Sequence, residues 1–142
     1  MAERAKVEIV RDWVDRSTFH EWVGIHLDRL DRGEVDLSLD VRRDHMNLMG
    51  SLHGGVIASL ADAATGIAVH AALDEGWTHA TTSLHLTFLA PGRLGDHVVA
   101  RGRVVKRGRR FGYAEADVAR SDGTLLARAS ATFLLQQDRG DQ

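Results

Sequence analysis

The chain has 142 residues, 44% hydrophobic and 27% charged, which suits a single domain with one core and excludes disordered, collagen-like and fibrous classes. Eighteen Lys and Arg against twenty Asp and Glu leave a formal net charge of -2, so the global basic field of a nucleic-acid binder is absent. There is no cysteine, hence no disulfide framework, thiolate metal site or cysteine nucleophile; with no apolar leader and no run of about 18 apolar residues, the expected setting is the cytoplasm with no membrane partner.

In chain order, residues 11–23 place Trp13, Phe19, Trp22 and Val23 at mixed three- and four-residue spacings, which predicts a short amphipathic helix docked on the domain by those side chains. From Ile25 the period changes to two. Ile25, Leu27 and Leu30, then Val35, Leu37, Leu39 and Val41, predict two strands joined at Asp31-Arg32-Gly33. Residues 44–52 keep neither period and read as a loop. The longest helix follows, from His53 to about Leu73. Eleven of the nineteen positions 54–72 are Gly, Ala or Ser, and larger apolar residues fall on more than one face, so this helix is built to be enclosed at close approach to a sheet.

Three segments, 81–90, 97–107 and 111–120, then alternate as strands, broken at Pro91-Gly92, at a basic turn from Lys106 to Arg110 and at Ser121-Asp122-Gly123. Residues 124–136 close the set, with Leu125, Ala127, Ala129, Ala131, Phe133 and Leu135 on one face. The expected fold is α+β: a highly curved antiparallel β-sheet wrapped around one long central α-helix, with a short N-terminal helix. One domain should cover 1–142, with its core at about 24–136 and a frayed tail from 137 to 142.

Between His53 and Leu73 the one charged side chain is Asp62, flanked by alanines. An enclosed carboxylate costs several kcal/mol unless paired or used, so Asp62 needs a reason: a hydrogen bond to a loop or partner subunit, or chemistry. At the helix start, His53-Gly54-Gly55 exposes backbone N–H groups with no intrahelical acceptor, where the dipole favours developing negative charge. Asn47 in the preceding loop offers a neutral amide that could hold a carbonyl oxygen or a water, or could simply shape a turn. Together these groups suit acyl transfer to water. Asp62 lies nine residues from His53, about 13.5 Å along the axis, so a second subunit must supply one end of the site.

The segments "NLMGSLHGGVIASLAD" and "TTSLHLTFLAPGRLGD" resemble the hotdog-fold acyl-CoA thioesterases of the phenylacetic acid degradation type. That family's Asn-x-x-Gly-x-x-His-Gly-Gly pattern, with an Asp nine residues past the His and a later strand ending in Pro-Gly, is met at Asn47, Gly50, His53, Gly54, Gly55, Asp62 and Pro91. The resemblance spans about residues 24–135. It implies hydrolysis of an aromatic or short- to medium-chain acyl-CoA without a cofactor, coenzyme A being part of the substrate. It also implies Asp62 as general base or nucleophile, the Gly55 N–H as oxyanion donor, Asn47 orienting water or carbonyl, and His53 placing the thioester or Asn47. A Ser or Thr on the next strand should assist, and Thr81, Thr82 and Ser83 all qualify. Family dimers commonly pair into tetramers, which makes a homodimer or homotetramer the expected assembly.

Two other readings belong beside this one. A hotdog-fold dehydratase or hydratase needs a His paired with an acid in a proline-rich segment, which is absent here; a non-catalytic acyl-CoA-binding module would not need Asp62. The histidines show no metal-ligand spacing, and His70 reads as a satisfied core residue. The basic turn, with Arg107, Arg109 and Arg110, suits either the coenzyme A phosphates or a solvated hairpin tip.

Overall fold

A computed structural model describes residues 2–139. Helices α1 (Ala2–Asp15) and α2 (Thr18–Val23) lead into strands β1 (His26–Asp31) and β2 (Glu34–Asp40), then helix α3 (Gly54–Ala72). Strands β3 (Trp77–Phe88), β4 (His97–Arg107), β5 (Phe111–Arg120) and β6 (Leu125–Gln137) complete one antiparallel sheet of order β1-β2-β4-β5-β6-β3. The sheet wraps α3, as the alternation and the small-residue helix require. Val35, Leu37 and Leu39 of β2, Val98 and Ala100 of β4, and Ala114, Ala116 and Val118 of β5 all turn to the helix and are buried. Although α3 is long and apolar enough to cross a membrane, its hydropathy is met by this sheet. Contact is closest at Gly102 in β4, where a Cβ would sit 2.6 Å from the carbonyl carbon of Ala64 and nearer still to its oxygen.

The N-terminal segment differs from expectation. It forms two helices beginning at Ala2, because Ser17 interrupts the run and its side chain accepts the His20 N–H, capping α2. Docking falls to the valine stripe Val7, Val10 and Val14 with Val23, whereas Trp13, Phe19 and Trp22 are exposed. Phe19 and Trp22 are therefore not the docking contacts the spacing suggested, and Trp13 is one only in part, through its ring on His70; the smaller valines pack closer to the core.

Strand β3 starts at Trp77, four residues before the predicted start, and carries a bulge between Thr81 and Ser83. Thr82 is the extra residue, so the inward face changes from odd positions (Trp77, His79) to even ones (Leu84, Leu86). A second bulge, opposite Val118/Ala119, breaks the single face expected of β6: Leu126 is fully buried and Leu125 only in part. At the other end, β6 still pairs at Gln137 with Trp77, and the Asp138 N–H donates to the Gly76 carbonyl at 2.7 Å, so fraying does not begin at 137. The expected fraying of 140–142 lies outside the described residues.

Candidate active site

The loop before α3 is a closed turn. Met46 bridges Leu52, and the Asn47 Oδ1 accepts the N–H groups of Met49 (2.9 Å) and Ser51 (3.0 Å) while its Nδ2 donates to Ser51 Oγ (3.0 Å). Asn47 thus shapes this loop, and among the described residues one of its amide hydrogens has no acceptor. His53 is the N-cap of α3: its Nδ1 accepts the Gly55 N–H at 2.8 Å. A neutral imidazole that accepts at Nδ1 carries its proton on Nε2, which makes His53 a donor there. Among the described residues the Gly54 N–H has no acceptor, so the free donor at this helix end is that of Gly54, while that of Gly55 is held by His53.

Asp62 sits two turns further on, half-buried, and its Oδ1 accepts the Thr81 hydroxyl at 3.0 Å. No Lys or Arg lies within ion-pair distance of it among the described residues. Of the three candidate hydroxyls, Thr81 alone meets Asp62: Thr82 Oγ1 donates to the Thr132 carbonyl at 3.0 Å, and Ser83 lies past the bulge. Asp62 and Thr81 open on a cavity of about 480 Å³, whose other walls include Trp13, Phe19, His20, Ile67 and His79. Asn47, His53 and Gly55 are not among its walls, so one chain holds the expected site residues in two separate groups.

Sequence reasoning passed over His79 and treated His70 as satisfied. The structure instead stacks four rings from α1 to β6: Trp13 on His70 (5.0 Å between centroids), His70 on His79 (5.2 Å), and His79 edge-on to Phe133 (5.3 Å). The Nδ1 atoms of His20, His70 and His79 are buried without a hydrogen-bond partner among the described residues. Burial therefore disfavours the charged imidazoles: His70 is pushed down to about 4, with Lys6 and His79 adding to the effect, and His79 is lowered although Asp62 opposes the shift. His20 is lowered by burial alone. His70 and His79 follow a helical and a strand period no different from that of core residues, so only the assembled fold reveals their contact, and of the two only His79 lines the cavity.

At the far end of α3, the Arg107 guanidinium lies 5.7 Å over the Trp77 ring and 3.6 Å from Asp74. Arg109 and Arg110 have no carboxylate partner among the described residues and line a shallow hollow with Phe111 and Tyr113. No group of three or more His, Asp or Glu that could hold a metal ion occurs among the described residues.

Residues 49–127 match the family model of the thioesterase superfamily. The chain is 28% identical over 101 residues to acyl-coenzyme A thioesterase 13 of Homo sapiens, covering 70% of this chain and 71% of that one. The PaaI protein from the phenylacetic acid degradation operon of E. coli superposes with a TM-score of 0.86 at 21% identity, over 94% of this chain and 95% of that one. A Streptococcus mutans protein solved bound to acetyl CoA gives a TM-score of 0.76 at 25% identity, over 82% and 91%.

Proposed function

The chain belongs to the thioesterase superfamily and is a thioester hydrolase, and we propose that it cleaves an aromatic or short- to medium-chain acyl-CoA to the free acid and coenzyme A. One observation carries this assignment: a half-buried carboxylate, Asp62, that no Lys or Arg neutralises, held by the Thr81 hydroxyl at the wall of a cavity. As general base, Asp62 takes a proton from water as the hydroxyl oxygen attacks the thioester carbonyl. The oxyanion is held by N–H groups at the start of α3, and collapse expels the coenzyme A sulfur, which regains the proton from Asp62. As nucleophile, Asp62 would instead form a mixed anhydride that water then opens. Gly54 supplies a free N–H; Gly55 joins it when the His53 imidazole turns away, and the His53 Nε2–H is a further donor. Asn47 holds the loop and directs its spare amide hydrogen to the carbonyl or water. No cofactor enters this scheme. Coenzyme A as the carrier is supported by the acetyl CoA bound in the Streptococcus mutans relative, and the unpaired Arg109 and Arg110 suit its phosphates better than Arg107, which Asp74 already engages.

The two groups meet in a homodimer. Edge strand β1 is short and guarded by Asp28, Arg29 and Asp31, but edge strand β3 runs twelve residues without Lys, Arg, Asp, Glu or Pro, an open template for another copy. Along β3, Thr81 marks the place of Asp62, and Phe88 marks the start of α3, since a Cβ on Gly54 would lie 3.3 Å from its ring. An antiparallel β3–β3 pair with its two-fold axis at His85 pairs Leu84 with Leu86 and Ser83 with Thr87 and, past the extra residue Thr82, sets Thr81 of one chain opposite Phe88 of the other. Asp62 then faces the helix start of its partner, and each dimer carries two composite sites.

Asp62→Asn is nearly isosteric and cannot take the proton. It should keep the fold and lower kcat by about 10²–10⁴-fold, read with a thiol reagent on an acyl-CoA panel; near-parental turnover would refute the assignment. One turnover in H₂¹⁸O tests the nucleophile role: an anhydride opened by water at the Asp62 carbonyl leaves label in Asp62, which the general-base route cannot do.

A further inference from the structure

We infer that the two N-terminal helices are the acyl-selecting wall of the site, with Trp13, Phe19 and His20 closing the cavity beside Asp62 and setting the largest acyl group it accepts. This rests on Asp62 as the hydrolytic carboxylate. The cavity begins at Asp62 and Thr81 on the core and ends on α1 and α2. Val10 and Val14 are buried under α1, while Trp13 at 56% exposure and Phe19 at 48% leave much of their large apolar rings uncovered by the fold. Both line the cavity. An apolar acyl group entering beside Asp62 would cover them and remove that surface from water.

The wall is held in place rather than loosely draped. Trp13 is the first ring of the stack that runs through His70 and His79 to Phe133, which keys α1 to α3, β3 and β6. Apart from Asp62, the polar lining carries little free charge: burial lowers the pKa of His20 and His79, and the Arg16 guanidinium lies 2.6 Å from the Asp12 carboxylate. Such a chamber suits an uncharged acyl group, a ring or a medium chain, and a long unbranched chain would have to pass Trp13 or Phe19. The stretch matched to the superfamily begins at residue 49, so residues 13–20 lie outside it.

The test uses the full-length protein with benzoyl-, octanoyl- and hexadecanoyl-CoA, and the matching non-hydrolysable thioether analogues in calorimetric binding. Phe19→Ala and Trp13→Leu should each raise the hexadecanoyl to octanoyl ratio, in kcat/KM and in affinity, by about ten-fold, the scale of a few pocket methylenes. Phe19→Trp should move the ratio the other way. Trp13→Leu could loosen α1, but Phe19 is half exposed on a capped helix, and circular dichroism checks each variant. Ratios within about two-fold of the parent in both assays would overturn the wall. So would a parental acyl profile accompanied by a change in assembly mass, which would make Trp13 and Phe19 cover for another copy. If the parent hydrolyses none of the three but the binding ratios shift as stated, the wall stands and the role of Asp62 fails.

Discussion

Replacing Gly102 with Ala adds one methyl group where strand β4 crosses helix α3. That methyl would lie 2.6 Å from the Ala64 carbonyl carbon and 3.1 Å from the Ala64 Cβ, against at least 3.4 Å for ordinary contact. The obstructing atoms are backbone, so no side-chain rotation relieves them and helix and strand must part by about 1 Å. Overpacking of this kind costs about 1–3 kcal/mol, and a rigid neighbour places it near the upper end. With a urea slope of about 1–3 kcal/mol per molar for a domain of this size, the unfolding midpoint should fall by about 1–3 M. Asp62 is two residues from Ala64 on the same helix, and an active-site shift of about 1 Å can cost up to about 10² in kcat. Gly112→Ala in β5 is the control: its methyl would meet Val69 at 3.5 Å and Leu135 at 3.6 Å, ordinary distances, so the midpoint should hardly move. An unchanged midpoint for Gly102→Ala would refute the close-approach account of why α3 is built from small residues.

Thr81→Val removes the one hydroxyl bonded to Asp62 and should lower kcat about ten-fold, whereas Thr82→Val, which loses only its bond to the Thr132 carbonyl, should stay within about two-fold. Stability should fall in acid: His70 titrates near 6.5 when unfolded and at about 4 when folded, so the unfolded chain binds the extra proton and stability is lost as pH drops from about 6.5 to about 4. Half-exposure of the ring limits the loss to about 1–2 kcal/mol, and His70→Phe, which keeps the stack without the titration, should flatten the melting temperature between pH 7 and pH 4. A parental pH dependence in that variant would assign the effect to other groups.

What could be read from the sequence was whatever is local. The enclosed helix announced itself through eleven small residues, and its ends fell where a histidine cap and a leucine stop placed them. Strands β4 and β5 were bounded by glycine turns and matched to the residue. Features that depend on a partner element were not legible. Thr81, Thr82 and Ser83 are equivalent as strand formers, and only the pairing with β6 decides that Thr82 is extra and Thr81 faces Asp62. The N-terminal aromatics look like docking residues because large rings usually are. Here the valines pack, Trp13 stacks on His70, and the exposed ring area gains a role from the cavity that α3 and β3 close against it. Asn47 and His53 were recognisable by spacing, but their hydrogen bonds within the loop and to Gly55 follow from backbone geometry that spacing does not encode.

The composite, Asp62-driven site is tested most directly by mixing two inactive proteins. Asp62→Asn loses the base; Asn47→Asp keeps the Oδ1 that organises the loop and loses the amide donor. Each alone should be nearly inactive. In co-refolded equal mixtures, half of the dimers are mixed and each mixed dimer holds one intact site, so turnover should recover to about a quarter of the parental value. No recovery above the two separate variants, with mixed dimers verified by mass, would place all the groups on one chain and contradict the account.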